Sequence, residues 1–236
     1  MFRFKQFSIS DDLSAMKIGT DGVLLGSWAF GQLTLRSILD IGTGSGLIAL
    51  MMAQRFPEAH ITAIEIDPSA AAEARDNVES SPWADRITVR EGDFNNYMPE
   101  EPFDAIVSNP PFFDETLASP TAARDMARRE TTLTLEQLIE CSATMLVAGG
   151  HLAIIAPYRR TDNLIYSLAT NRLDAEKAVA VAPTDKSEPI RVLLQAVKGT
   201  ARSYCTGRIN IRQSQAYSSA YRRLTQPFYL PSTFDK

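Results

Sequence analysis

The chain has 236 residues, 44% hydrophobic and 22% charged, with a formal net charge of −4. This is ordinary globular composition and excludes disordered and fibrous classes. No apolar run approaches ~18 residues, and MFRFKQFSIS lacks the apolar core of a signal peptide, so the expectation is a cytoplasmic protein with no membrane association. Two cysteines without CxxC spacing and only two histidines give no basis for a disulfide framework or a metal site.

In chain order, SILDIG (37–42) is a short apolar run entering a glycine turn, and LIALMMAQRF (47–56) has helical spacing and stops before Pro57. HITAIEID (60–67) reads as a strand, and PSAAAEARDNVESS (68–81) as a helix with Pro68 in its first turn. Strands follow at RITVREGDF (86–94) and FDAIVSNP (103–110). LTLEQLIECSATML (133–146) reads as a helix closed by Gly149 and Gly150, HLAIIAP (151–157) as a strand and TDNLIYSLATNR (161–172) as a helix. AEKAVAVAP (175–183) and PIRVLLQAVK (189–198) are strands with no helix between them, which predicts an antiparallel pair at one edge. Strands that are continuous apolar runs, alternating with helices, define an α/β protein with a mostly parallel, doubly wound sheet covered on both faces. One domain is expected at 37–198, preceded by a segment, 1–36, that closes over the site. A basic, aromatic extension, 199–236, packs on the domain. From Lys186 to Lys236 nine Lys/Arg face only Glu188 and Asp235, so this stretch is +7 and the remainder −11. Such a tail suits phosphates, and it equally suits a solvated surface.

DIGTGSG (40–46) leaves the first strand and opens a helix, where a nucleotide-binding glycine loop belongs. Leu47 occupies the place of the third glycine of a dinucleotide fingerprint. G-x-G-x-G after an acid instead resembles the first motif of S-adenosylmethionine-dependent methyltransferases, which implies the Rossmann-like class I fold and that cofactor. Its amino-acid end carries an ammonium and a carboxylate. Asp40 suits the ammonium, directly or through water, and Gly42, Thr43 and Gly44 the close approach of backbone. Glu65 ends the second strand, where an acid can accept from both ribose hydroxyls. Asp67 competes for that role and also looks like a helix cap. Asp93 ends the third strand, placed for the adenine amino group, with Phe94 available against the ring. Lys17, Thr20 and Asp21 lie in a glycine-flanked segment that could cover the cofactor from outside the sheet.

SNPPFF (108–113) sits at the tip of the fourth strand. Ligands of open α/β sheets lie outside the strand carboxyl ends, at the topological switch point. There the Asn109 amide oxygen and the Pro110 carbonyl can accept hydrogen bonds from a planar amino group and aim its lone pair. Pro110 and Pro111 hold the acceptors rigidly, and Phe112 offers a stacking face. NPPF resembles the fourth motif of amino-group methyltransferases, which act on adenine N6, guanine N2 or glutamine N5. Three further stretches resemble the bacterial tRNA(Val) adenine-N6 methyltransferases: 4–28, then SPWADRI (81–87) with ARRETTLTLEQL (127–138), and YSSAYRRLTQPFYL (217–230). The resemblance implies methylation of the adenosine at position 37, beside the anticodon, with tRNA as partner and no obligate protein partner. Phenylalanines after NPP, where members of that family can carry tyrosine, keep the stacking face and lose a hydroxyl. Candidate RNA contacts are Arg124, Arg128 and Arg129 in the loop after the motif, and Arg208, Arg212, Arg222 and Arg223 in the tail. The alternatives are a guanine-N2 ribosomal RNA or glutamine-N5 protein methyltransferase, and a non-catalytic cofactor- or RNA-binding protein. Against the first, only about 36 residues precede the core, too few for the extra domain such enzymes usually bring.

Overall fold

The computed structural model describes residues 1–14, 17–111 and 134–235. A hairpin of β1 (Phe2–Arg3) and β2 (Ser8–Ile9) precedes helix α1 (Thr20–Trp28). Then follow β3 (Ser37–Ile41), α2 (Leu47–Arg55), β4 (His60–Glu65), α3 (Pro68–Glu79), β5 (Ile87–Glu91) and β6 (Phe103–Ser108). The second half holds α4 (Leu135–Met145), β7 (Leu146–Pro157), α5 (Thr161–Thr170), β8 (Leu173–Thr184) and β9 (Arg191–Lys198). It ends with β10 (Cys205–Gln213), β11 (Ala216–Tyr217) and α6 (Ser219–Thr225). Among the described residues no helix is long and apolar enough to cross a membrane.

Nine strands form one sheet in the order β11-β10-β8-β9-β7-β6-β3-β4-β5. From β5 to β7 all neighbours are parallel, and the order reverses between β3 and β6. That reversal is the switch point where an open α/β sheet leaves a crevice. The antiparallel pair is β8 and β9, as the missing helix required, and β9 is also antiparallel to β7. It does not end the sheet. β10 adds in parallel to β8 and β11 turns back on β10, so the tail supplies two more strands. Arginines inside TGRINIRQ obscured the strand, because β10 is largely exposed and needs few apolar residues.

Local chemistry sets the element boundaries. Asp67 caps α3 by accepting from the Ala70 N–H at 2.8 Å, with Pro68 following. Thr134 and Gln137 form a capping box that starts α4. Gly149 and Gly150, expected to close that helix, lie within β7, which begins at Leu146 directly after α4. The register with β6 jumps from Phe103↔Leu146 to Ala105↔His151, so the glycines form a bulge. A side chain at 150 would stand 3.0 Å from the Val147 carbonyl oxygen.

Successive residues of β3 show the layering. Ile38 belongs to one core cluster, with α1 and α2, and Leu39 and Ile41 to the other, with α4 and α5. The N-terminal segment is fastened at both ends. Phe4 stacks between Phe7 and Tyr229, and the Lys5 N–H donates to the Phe228 carbonyl at 2.8 Å. Farther on, Leu13 and Ser14 donate three hydrogen bonds to the Glu73 carboxylate of α3.

Candidate active site

The glycine loop, Glu65 and Asn109 converge where β3, β4 and β6 end. Gly42 and Gly44 have φ of +67° and +56°, and nothing lies within 4 Å of where a Cβ would stand on either. Bare backbone in a left-handed turn thus borders open space, a cradle that side chains would fill. Beneath it, Asp40 is wholly buried, facing the α2 side like Ile38. Its Oδ2 accepts from the Thr43 hydroxyl at 2.5 Å, and Oδ1 has no partner. Burial pushes its carboxyl up to about 7, against the Thr43 hydroxyl and the Ala49 N–H, which lower it; nearby Glu65 raises it further.

Glu65 fixes the loop from the side. One carboxylate oxygen accepts from the Gly44 N–H at 2.8 Å, the other from the Asp67 N–H at 3.0 Å. A carboxylate has about four acceptor sites, so roughly two remain for a ligand's hydroxyls. Asp93 accepts from the Asn95 N–H and from the amides of Asn95 and Asn96, shaping the turn after β5.

One expectation changes. Phe94 is only 5% exposed and packs in the core cluster with Ile41 and Ile64, so it is a wall of the core rather than an open ring face. Asp67 caps α3 through one carboxylate oxygen, Oδ1, as its place before Pro68 suggested. The apolar surface beside Glu65 comes instead from Ile66, 53% exposed, which the sequence marked only as an apolar residue between two acids.

Asn109 follows β6, and its Oδ1 is buried without a hydrogen-bond partner. Pro110 is buried and Pro111 exposed; Phe112, with Arg124, Arg128 and Arg129, lies outside the described residues. A Cβ on Gly22 of α1 would stand 3.0 Å from Leu47 and 3.8 Å from the Asn109 amide nitrogen, so the first turns of α1 lie against the tip of β6. Asp21, one residue earlier, pairs with Arg191 Nε at 2.8 Å, and Thr20 is exposed at the helix start. Lys17 donates to the backbone carbonyls of Asp11 and Asp12, holding the shape of its own segment.

Asn77 joins that segment to the glycine loop. Its amide nitrogen donates to the carbonyls of Ser10 at 2.8 Å and Ser45 at 2.9 Å, while its oxygen accepts from the Ser10 N–H. Glu73 and Asn77 are four apart on α3, a polar pair on an alanine-lined face and the one sequence signal that could have found them.

In the tail, Arg208 donates to Asn210 and the Ser187 carbonyl, Arg212 lies 4.5 Å over the Tyr217 ring and Arg222 5.4 Å over Phe234; Arg223 is exposed. Among the described residues no group of three or more His, Cys, Asp or Glu could hold a metal.

A mostly parallel sheet with this switch point and glycine cradle defines a class I methyltransferase. The methyltransferase small domain family model matches residues 23–161. A crystal structure of a "predicted O-methyltransferase" from Agrobacterium tumefaciens shares the fold, with a TM-score of 0.68 and 21% identity, covering 88% of this chain and 96% of that one. A tRNA1(Val) (adenine(37)-N6)-methyltransferase of Porphyromonas gingivalis is 45% identical, covering 98% of this chain and 96% of its own. The same enzyme of Klebsiella pneumoniae is 40% identical, covering 97% and 94%. The chain belongs to the tRNA1(Val) (adenine(37)-N6)-methyltransferase family. Its cofactor is S-adenosylmethionine, which the open cradle, the unpartnered Asp40 oxygen and the spare acceptor sites of Glu65 fit.

Proposed function

We infer that this protein methylates N6 of adenosine 37 in tRNA(Val), in the cytoplasm. The observation that carries the reading is the Asn109 amide oxygen, buried and unpartnered at the strand tip next to the glycine cradle. A buried acceptor without a donor costs on the order of 1–3 kcal/mol, and an incoming amino group removes that cost.

The chemistry asked of the chain is modest. The adenine amino group is a poor nucleophile because its lone pair is delocalised into the ring. Asn109 Oδ1 and the Pro110 carbonyl accept its two N–H groups, draw the nitrogen toward a pyramidal shape and aim its lone pair away from the ring. When bound, the cofactor supplies an electrophilic methyl group. A nitrogen that is methylated before it loses its proton is cationic and releases that proton to water, so no strong base is needed, and catalysis is orientation plus electrostatics. Glu65 and the loop it holds position the donor, and Gly22 lets α1 close against the acceptor.

The test is mass spectrometry of nucleosides from unmodified tRNA and ribosomal RNA, and of peptides from release factor, after incubation with the protein and S-adenosylmethionine. N6-methyladenosine in valine tRNA is the expected product, and methylguanosine or methylglutamine would replace the reading. Asn109→Ala should lose roughly 10²–10³ in rate. Asn109→Asp keeps acceptors and should retain measurable turnover. Wild-type turnover by Asn109→Ala would end the proposal.

A further inference from the structure

The chain has seven tyrosines, and three stand exposed: Tyr158 at 41%, Tyr166 at 73% and Tyr204 at 50%. The others are used inside the fold, Tyr217 stacked on Tyr221, Tyr229 on Phe4 and Tyr97 against the core. The exposed three share one stretch of surface. Tyr158 follows β7 directly, and its N–H donates to the Ile190 carbonyl at 3.1 Å, which brings the exposed Ile190 alongside. Asp162 and Tyr166 are four apart on α5 and so share a face of that helix. Tyr204 precedes β10, whose Cys205 pairs with Lys177 of β8, and its phenol lies within electrostatic reach of Asp162 and Tyr158. Partial burial raises its phenol above the ordinary value, and the neighbouring Asp162 carboxylate and Tyr158 hydroxyl raise it further. One exposed ring is ordinary; three gathered beside an exposed isoleucine mark an interaction surface.

Position decides what that surface meets. β7 pairs with β6 through Ser108↔Ile154, so the end of β7 lies one strand spacing, about 4.8 Å, from the strand that leads to Asn109. The glycine loop and Glu65 lie on the other side, after β3 and on β4. A base delivered to Asn109 from a polynucleotide therefore has the cofactor cradle on one flank and the tyrosines on the other. Charge is nearly balanced along this border. Arg159, Arg160, Lys186 and Arg208 are equalled in number by Glu136, Asp162, Asp185 and Glu188, Arg160 is paired with Glu136, and Arg208 donates to Asn210 and the Ser187 carbonyl. Stacking, rather than phosphate attraction, is what the surface offers.

We propose that Tyr158, Tyr204 and Tyr166, with Ile190, form a stacking platform for the unpaired nucleotides that flank the target base in the RNA. The proposal rests on the tRNA reading above. Splayed loop bases stack on aromatic side chains, and because every base has a π face such a platform holds them with little regard to sequence. It leaves the target base free to turn toward Asn109.

The test uses the full chain, S-adenosylmethionine and unmodified tRNA. Tyr158→Ala, Tyr166→Ala and Tyr204→Ala combined should raise the KM for tRNA by about tenfold or more. The kcat at saturating tRNA, the cofactor affinity and the melting temperature should change little. The slope of tRNA affinity against salt should also hold, because no phosphate contact is lost. The corresponding triple phenylalanine variant keeps the rings and should restore KM. An alanine variant with wild-type KM for tRNA, or a phenylalanine variant as impaired as the alanine one, would overturn the platform while the methylation reading stands. Wild-type protein that methylates no tRNA would overturn both.

Discussion

A carboxyl group shut inside a protein with one oxygen unpartnered titrates late, and Asp40 is pushed up to about 7 chiefly by burial. Its charged form is thus disfavoured in the folded protein, and its ionisation weakens the fold as pH rises from the ordinary 3.8 toward about 7. A cofactor that brings an ammonium reverses the preference, because it binds the carboxylate form. The affinity ratio of wild type to Asp40→Asn should therefore fall, by up to tenfold per unit, as pH drops below about 7, and level off above it. Calorimetry across that range reads the ratio, and a ratio independent of pH would remove Asp40 from the cofactor's reach. Glu65 acts twice, on the ligand and on the loop that cradles it, since Gly44 hangs from its carboxylate. Glu65→Ala should weaken S-adenosylmethionine binding by roughly 1–3 kcal/mol. Glu65→Gln, which keeps one acceptor for Gly44, should lose less. Equal losses would show that loop support contributes little.

The element whose fit matters most to the site is α1, because Gly22 lies against Leu47 and Asn109 and Gly26 lies against Met51. A Cβ at 26 would stand 2.6 Å from the Met51 sulfur and 3.2 Å from its Cβ, so the side chain cannot simply swing clear. Gly26→Ala should destabilise the protein by about 1–3 kcal/mol in denaturant melts. Adding Met51→Ala should recover part of that loss, a coupling that independent sites would not show. The segment before α1 depends on Glu73. Burial pushes its carboxyl up, but the hydrogen bonds from Leu13, Ser14 and Asp12 more than offset this and hold it below its ordinary 4.5. A depressed folded value contributes stability above the unfolded one and loses it as pH falls through the folded one. Glu73→Gln should lower the melting temperature near neutrality and reduce the decline on acidification below 4.5. An acid limb as steep as that of the wild type would assign the decline to other carboxylates.

At the scale of the molecule, the two ends of the chain hold each other. Phe4 and Phe7 at one end meet Tyr229 and Trp83, and Tyr229 meets Phe234 at the other end. Phe4 is fully buried, so Phe4→Ala should cost about 3–5 kcal/mol. The same segment runs on to Glu73 and Asn77, so the loss should also appear as weaker cofactor binding. A stable variant with unchanged cofactor affinity would uncouple the clasp from the site.

By itself the sequence determined the α/β class, the alternation of strands and helices from residue 37 onward, the glycine loop, the acid at 65 and the amide at 109. These are features of local order: apolar periodicity, glycine before a helix, proline after a strand. It also carried the family, because motif spacing persists along nearly the whole chain. Only the tertiary structure decided the rest. Helix α1 escaped notice because it is buried on nearly all sides and carries glycines for close packing, so no amphipathic pattern survives. β10 escaped because an exposed strand need not look apolar. Asn77 and Ile66 join the site through contacts and exposure, neither of which a linear pattern encodes. The three exposed tyrosines are 158, 166 and 204 in the chain, and only the return of β10 beside β8, with α5 folded back from the end of β7, brings them near one another.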